Sequence, residues 1–146
     1  MAKGKIMMKP AFIALTLLIG AANAAADPHA VFGTFATEAG DSHIEISDCG
    51  DGTPCGTVVW IDPATLPPGE TPESVRSPAT DQPILGLTML SGFKKKSGDW
   101  RNGDIYSPQA DKTYRSRLKR LDDGTLEVKG CIAFLCQTQV WTPVSR

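Results

Sequence analysis

The sequence predicts an all-β fold, and three observations carry that reading. Short stretches rich in Val, Ile, Thr and aromatic residues alternate with Gly, Asp, Pro and Ser, the pattern of strands separated by turns. Eight such stretches follow one another, and most of the connections are far too short for the crossover that a parallel pair requires, so neighbours pair antiparallel. Within several of them apolar and polar residues alternate with the period of two that puts one face inside and the other in water.

Taken in order, the predicted strands are Val31 to Thr37, His43 to Asp48, Gly56 to Asp62, Gly86 to Phe93, Asp99 to Ser107, Lys112 to Leu121, Gly124 to Ala133 and Cys136 to Val144. Turn sequences such as Glu38-Ala39-Gly40-Asp41, Lys96-Ser97-Gly98-Asp99 and Asp122-Asp123-Gly124 separate them. Alternation is clearest where Ile44 and Ile46 oppose Glu45 and Ser47, and where Leu126, Val128 and Gly130 oppose Glu127 and Lys129. In the sixth stretch Arg115, Arg117 and Lys119 share one face and Tyr114, Ser116 and Leu118 the other. Polar residues on an inward face are tolerated by a barrel with a lined cavity rather than by a filled one. The exception to the strand pattern is Pro63 to Pro83, with six prolines and no apolar periodicity. It is expected to be structureless, and an insertion of that length is a candidate lid or docking loop.

Residues 1–24 read as a secretory signal peptide, and residues 25–146 as a single β-barrel domain. Lys3, Lys5 and Lys9 precede the apolar run Ala11 to Ala22, and Ala22-Asn23-Ala24 offers the small residues of a cleavage site. The run is shorter than the roughly 20 apolar residues of a bilayer-spanning helix, and no later segment is longer. Without residues 1–24 the chain holds 12 Lys and Arg against 16 Asp and Glu, a net charge of −4. That balance argues against a nucleic-acid partner, whose phosphates select for basic surfaces.

The four cysteines lie in the exported part as two close pairs, Cys49 with Cys55 and Cys131 with Cys136. In an oxidising compartment an even number of cysteines reads as disulfides, and each pair flanks turn-like sequence that would bring its members together across a hairpin neck. Loops this short contribute roughly 2 kcal/mol each in the chain-entropy account. A four-thiolate zinc site would require tighter ligand spacing, and neither pair has the Cys-x-x-Cys spacing of redox motifs. No metal and no cofactor is expected.

Gly86-Leu87-Thr88-Met89-Leu90-Ser91-Gly92-Phe93, then Trp100-Arg101-Asn102-Gly103-Asp104-Ile105-Tyr106-Ser107-Pro108 and Lys112-Thr113-Tyr114 resemble the signature of domain of unknown function 2147, a family of exported bacterial proteins. The resemblance extends through Cys55 to Trp60, Val128 to Gly130 and Thr138 to Thr142. It implies a lipocalin-like, calycin-type antiparallel up-and-down β-barrel and no particular activity. Two positions depart from the family pattern. Gly33-Thr34-Phe35 stands where a Gly-x-Trp is typical, and Asp111 where a Gly usually precedes the Lys.

No nucleophile elbow, zinc-binding helix or phosphate loop is present. Asp81, Asp99 and Asp104 are the carboxylates that a hydrolase would have to bring to one barrel rim. The more suggestive set is Trp60, Trp100, Arg101, Asp104, Tyr106 and Tyr114, with Trp141, Lys112 and Arg115 nearby. Aromatic walls with a few fixed polar groups describe a small-ligand site. Trp100, Asn102 and Asp104 share one strand face unless a bulge intervenes, and Gly103 is where a bulge or a close backbone approach is expected. Lys94-Lys95-Lys96 reads as edge protection.

The reading that results is a periplasmic or secreted barrel that binds a small, partly apolar ligand without catalysis. Its rivals are an envelope interaction module with a filled barrel, contacting a protein or wall partner, and a carboxylate-based hydrolase. Peptide mapping of periplasmic protein under non-reducing conditions is expected to find Cys49 joined to Cys55 and Cys131 joined to Cys136. Cross-links between the two pairs, or four free thiols, would sink the pairing.

Overall fold

The structure, a computed structural model, describes residues 24–145; the expected signal peptide, Ala24 apart, lies outside the described residues. Its strands are β1 (Gly33–Ala36), β2 (Ser42–Asp48), β3 (Pro54–Ile61), β4 (Thr88–Ser91), β5 (Lys94–Lys95), β6 (Trp100–Ser107), β7 (Lys112–Arg120), β8 (Leu126–Ile132) and β9 (Leu135–Pro143). Each pairs antiparallel with the next in sequence except β4 with β5, which both pair with β6, and β9 returns to β1. The result is a closed antiparallel barrel of eight strands in up-and-down order. The fourth of these is broken into β4 and β5 at Gly92, whose φ of 75° is open to glycine and strained for residues with a Cβ.

Hairpins alternate between the two ends. Asp51-Gly52-Thr53 and Asp123-Gly124-Thr125 build the same turn at one end. In each, the carboxylate accepts from the threonine's backbone N–H and its hydroxyl, and the glycine takes a positive φ. The threonine hydroxyl, then the backbone N–H, holds Asp51 and Asp123 below the usual aspartate pKa.

That same end is filled. Phe35, Ile44, Ile46, Val58, Leu90, Phe93, Trp100, Leu118, Leu126, Val128 and Trp141 form one buried cluster with Val31. The segment before β1 seals it. Trp100 Nε1 donates to the His29 carbonyl at 3.1 Å, the backbone N–H of Arg120 donates to the Pro28 carbonyl at 2.9 Å, and the Arg120 guanidinium lies 4.9 Å from the centre of the Phe35 ring. Small residues make room for large ones. A Cβ on Gly56 would meet Leu90 Cδ1 at 2.7 Å, and one on Gly103 would enter the Phe93 ring.

Residues 63–83 do not form the structureless loop that their prolines predict. A short 3-10 turn spans Pro63–Thr65, Arg76 bridges Pro83, and the buried Ser77 donates its hydroxyl to the Pro108 carbonyl at 2.8 Å. Leu66 and Val75, with Ile84, Leu85 and Leu87 just beyond, pack on the core, and this burial offsets the entropy of ordering the segment.

Trp100→Ala is expected to cost about 3–5 kcal/mol as a large-to-small change in a packed core. Gly103→Ala, which inserts a methyl group against Phe93, should cost about 1–3 kcal/mol. Urea titration of both variants checks these values, and a midpoint unchanged in either would contradict the filled end described here.

Candidate functional site

The opposite end of the barrel is open, and a cavity of about 910 Å³ enters it. Register shows how the wall is made. Along β8 and β9 the facing pairs are Leu126 with Trp141, Val128 with Gln139, Gly130 with Gln137, and Ile132 with Leu135. All of these except Leu126 border the cavity. On the other side Ile105 of β6 pairs with Tyr114 of β7, and both line it. The buried Trp141 and Val128 form its floor. Thr37, Asp41 and Ser42 complete one rim, Ser107 and Gln109 another.

Two details set its chemistry. The Trp141 indole N–H donates to Gln139 Oε1 at 2.8 Å. Asp41, the one carboxylate of the lining among the described residues, accepts from Thr37 Oγ1 at 2.7 Å and from Ser42 Oγ at 3.0 Å. The lip is apolar. Ile132, Phe134 and Leu135 are exposed on a tight hairpin tip, Phe134 at 88%, and the Cys131–Cys136 disulfide closes its neck with the Cα atoms 4.0 Å apart. The second disulfide, Cys49–Cys55, staples the β2–β3 hairpin at the filled end.

Of the six residues singled out in the sequence, Tyr106 and Tyr114 border the cavity. Tyr114 does so from an inward position. Tyr106 stands at the rim with its hydroxyl donated to Asp111 Oδ1 at 2.9 Å. The other four lie elsewhere, and bulges explain two of them. Between His43 and Ile44 the partner strand carries an extra residue. This turns Trp60 outward, where it is 37% exposed and stacks on the His43 ring at 4.2 Å. A second irregularity lies between Trp100 and Gly103, with Asn102 at a φ of 57°. It puts Trp100 on the inward face with Gly103, within the filled end, instead of on the face of Asn102 and Asp104. Arg101 is paired with Asp99 on the outside, and Asp104 faces Arg115 on the outer wall at 3.8 Å.

The three carboxylates weighed for hydrolysis do not meet. Asp81 lies in the Pro-rich segment with Arg76, Asp99 in the turn before β6, and Asp104 on the outer wall. Among the described residues no group of three His, Cys, Asp or Glu side chains is placed to hold a metal ion. The Pro-rich segment contributes no side chain to the cavity lining among the described residues. Sequence reasoning passed over Gln137, Gln139, Met89 and Gln109; Gln137 and Gln139 share the alternation phase of Trp141, the signal that could have found them.

Residues 33–143 match the family described as uncharacterized protein conserved in bacteria, DUF2147. The chain belongs to that family. No curated protein matches this DUF2147 chain in sequence. Among solved structures it is similar to protein HP1028 from the human pathogen Helicobacter pylori, described as belonging to the lipocalin family, with a TM-score of 0.59 and 18% identity over 84% of this chain and 85% of that one. That likeness, at this identity, is one of fold, and the fold of the DUF2147 chain is lipocalin-like. No helix among its described residues is long and apolar enough to cross a membrane. A bacterial family and two disulfides are consistent with an exported protein.

Arg101→Ala is expected to leave the affinity of an apolar fluorescent probe for the cavity unchanged within roughly twofold. Its stability cost should be about 1–3 kcal/mol, because the substitution leaves the Asp99 carboxylate, whose side chain is only 13% exposed, without its partner. A tenfold loss of affinity would return Arg101 to the binding site.

Proposed function

We propose that this protein is a periplasmic or secreted barrel, exported by a cleaved signal peptide, that binds a small, partly apolar molecule in the mouth cavity and does no chemistry on it. The observation that carries the reading is the division of the lumen into a packed end and an open cavity of about 910 Å³. That volume lies within the 300–1,000 Å³ typical of small-molecule sites, and an apolar floor with a few convergent polar groups is their usual composition. The two-carboxylate hydrolase has less support, since Asp41 stands as a lone carboxylate in the lining.

A second reading, the envelope interaction module, draws support from the exposed tip of Ile132, Phe134 and Leu135. Here the tip rather than the cavity is the functional surface. Phe134→Ser separates the two. It should leave probe affinity intact if the cavity is the site, and abolish co-sedimentation with envelope membranes if the tip is.

An apolar fluorescent probe is expected to bind with a Kd of about 1 μM, near −8 kcal/mol, and to shift the emission of Trp141 at the cavity floor. In Trp141→Phe that shift should vanish while the emission of Trp60 and Trp100 persists. Saturating probe that fails to bind the folded protein would overturn the carrier reading.

A further inference from the structure

From the cavity lining we infer that the ligand is an uncharged amphiphile whose head group offers hydrogen-bond acceptors, as an acylglycerol ester does, rather than a fatty-acid anion. The inference rests on the carrier reading and specifies its ligand class.

Three observations carry it. The first is the orientation of Gln139. An indole N–H is a donor only, and the buried Trp141 N–H takes Gln139 Oε1 at 2.8 Å. The amide oxygen is thereby committed, and the amide nitrogen is left with its two N–H donors on the cavity wall. Gln137, two residues along the same inward face, adds a second amide. Gln139 thus presents uncharged donors, matched to the oxygen of an ester, an amide or a hydroxyl, and the Gln137 amide can add a donor or an acceptor.

The second observation is charge. Among the described residues no Lys, Arg or His borders the cavity, and the one carboxylate that does is Asp41. A carboxylate head placed among these groups would lose hydration with no cation to replace it, and would meet a like charge at the rim. Lys112 shares the alternation phase of Tyr114 on β7 but lies exposed, outside the lining. A cationic head fares little better, because it offers the glutamine N–H donors no acceptor, and Asp41 is solvent-exposed at the rim, where its attraction for a cation is screened. The third observation is the order of the wall. Trp141, Val128 and Ile105 line the depth and Ile132 and Leu135 the lip, with the two glutamines between. An apolar chain therefore has surface on which to lie on both sides of a short polar band.

The test is displacement of a bound apolar probe by three ligands with the same chain length, all below their critical micelle concentrations at pH 8. These are 1-monolauroylglycerol, laurate and dodecyltrimethylammonium. The uncharged ligand is expected to bind at least tenfold more tightly than either ion. Gln139→Glu keeps an acceptor for the Trp141 indole, so the fold is retained, but it removes the donors. It should weaken 1-monolauroylglycerol by roughly three- to tenfold, the worth of one neutral hydrogen bond, and weaken the apolar probe, which makes no hydrogen bond there, by less. Gln137→Lys should raise laurate affinity, and Lys112→Gln should alter none of the three. Laurate or the ammonium binding as tightly as the neutral ligand would overturn the inference and leave the carrier standing. So would a ranking that neither glutamine variant moves, or probe that none of the three ligands displaces. Failure of the probe itself to bind removes the carrier and this inference together.

Discussion

Closing eight strands into a barrel creates a lumen that side chains must either fill or line, and how this chain meets that demand decides everything else about it. At one end the demand is met by large groups. Phe35, Phe93, Trp100 and Leu118 meet in the lumen, and the segment at Pro28–Val31 seals them through the Trp100 and Arg120 hydrogen bonds. The row Gly103–Ser116–Gly130, three directly paired positions on β6, β7 and β8, supplies the space into which Phe93 and Ile105 settle. Ser116 leaves its buried hydroxyl without a protein partner, a cost of about 1–3 kcal/mol that the surrounding apolar burial outweighs. Beyond that row the inward residues Ile105, Tyr114, Ile132 and Leu135 line the lumen without filling it, and it opens.

Much of this was legible in the sequence because period-two alternation survives wherever strands are regular. The inward sets Ile44 and Ile46, Leu126 and Val128, and Tyr114, Ser116 and Leu118 are inward in the structure, and both cysteine pairs are bonded as their spacing implied. What alternation does not encode is a slip. The extra residue near Val59 and the irregularity at Arg101 and Asn102 each shift the phase by one. That shift reverses the facing of Trp60 and of Trp100 relative to the residues beside them. Gly103 pointed to the second slip, but nothing in the Val58 to Ile61 stretch marks the first. The Pro-rich segment hid its order for a related reason. Its few apolar residues, Leu66 and Val75, are too far apart to form a periodic pattern, and their burial depends on a core built by other parts of the chain.

The two departures from the family pattern have different structural weights. Phe35 lies in the packed end under the Arg120 guanidinium, so the aromatic face that a cation needs is kept while an indole donor is lost. The position belongs to the plug, not to the cavity. Asp111 has a φ of 50°, a left-handed conformation that glycine adopts freely and that aspartate tolerates better than most residues. Unlike glycine, it brings an acceptor, and Tyr106 donates to it. The substitution therefore does more than shape the turn. It commits the hydroxyl of a residue at the cavity rim to the protein itself, which leaves the phenol of Tyr114 as the tyrosine hydroxyl on the inward wall.

The placement of the disulfides follows from the same division of the barrel. Cys49–Cys55 closes the β2–β3 hairpin at the end where the core is already dense. Cys131–Cys136 joins directly paired residues of β8 and β9 at the opposite end, where packing gives little. There Ile132 and Leu135 are mostly exposed and Phe134 almost wholly so, and a hairpin held by backbone pairing alone would fray. Each cross-link restricts the unfolded chain by about the same amount, since the loops are of similar length. Their native-state consequences differ. At the filled end the bond adds to a structure that packing already fixes. At the mouth it keeps β8 and β9 in register over the last pairs before the turn, and those pairs, Gly130 with Gln137 and Ile132 with Leu135, are the upper wall of the cavity. The mouth disulfide thus acts on the shape of the site more than on the fold, and the polar band of β9 keeps its position because a covalent bond holds it where burial does not.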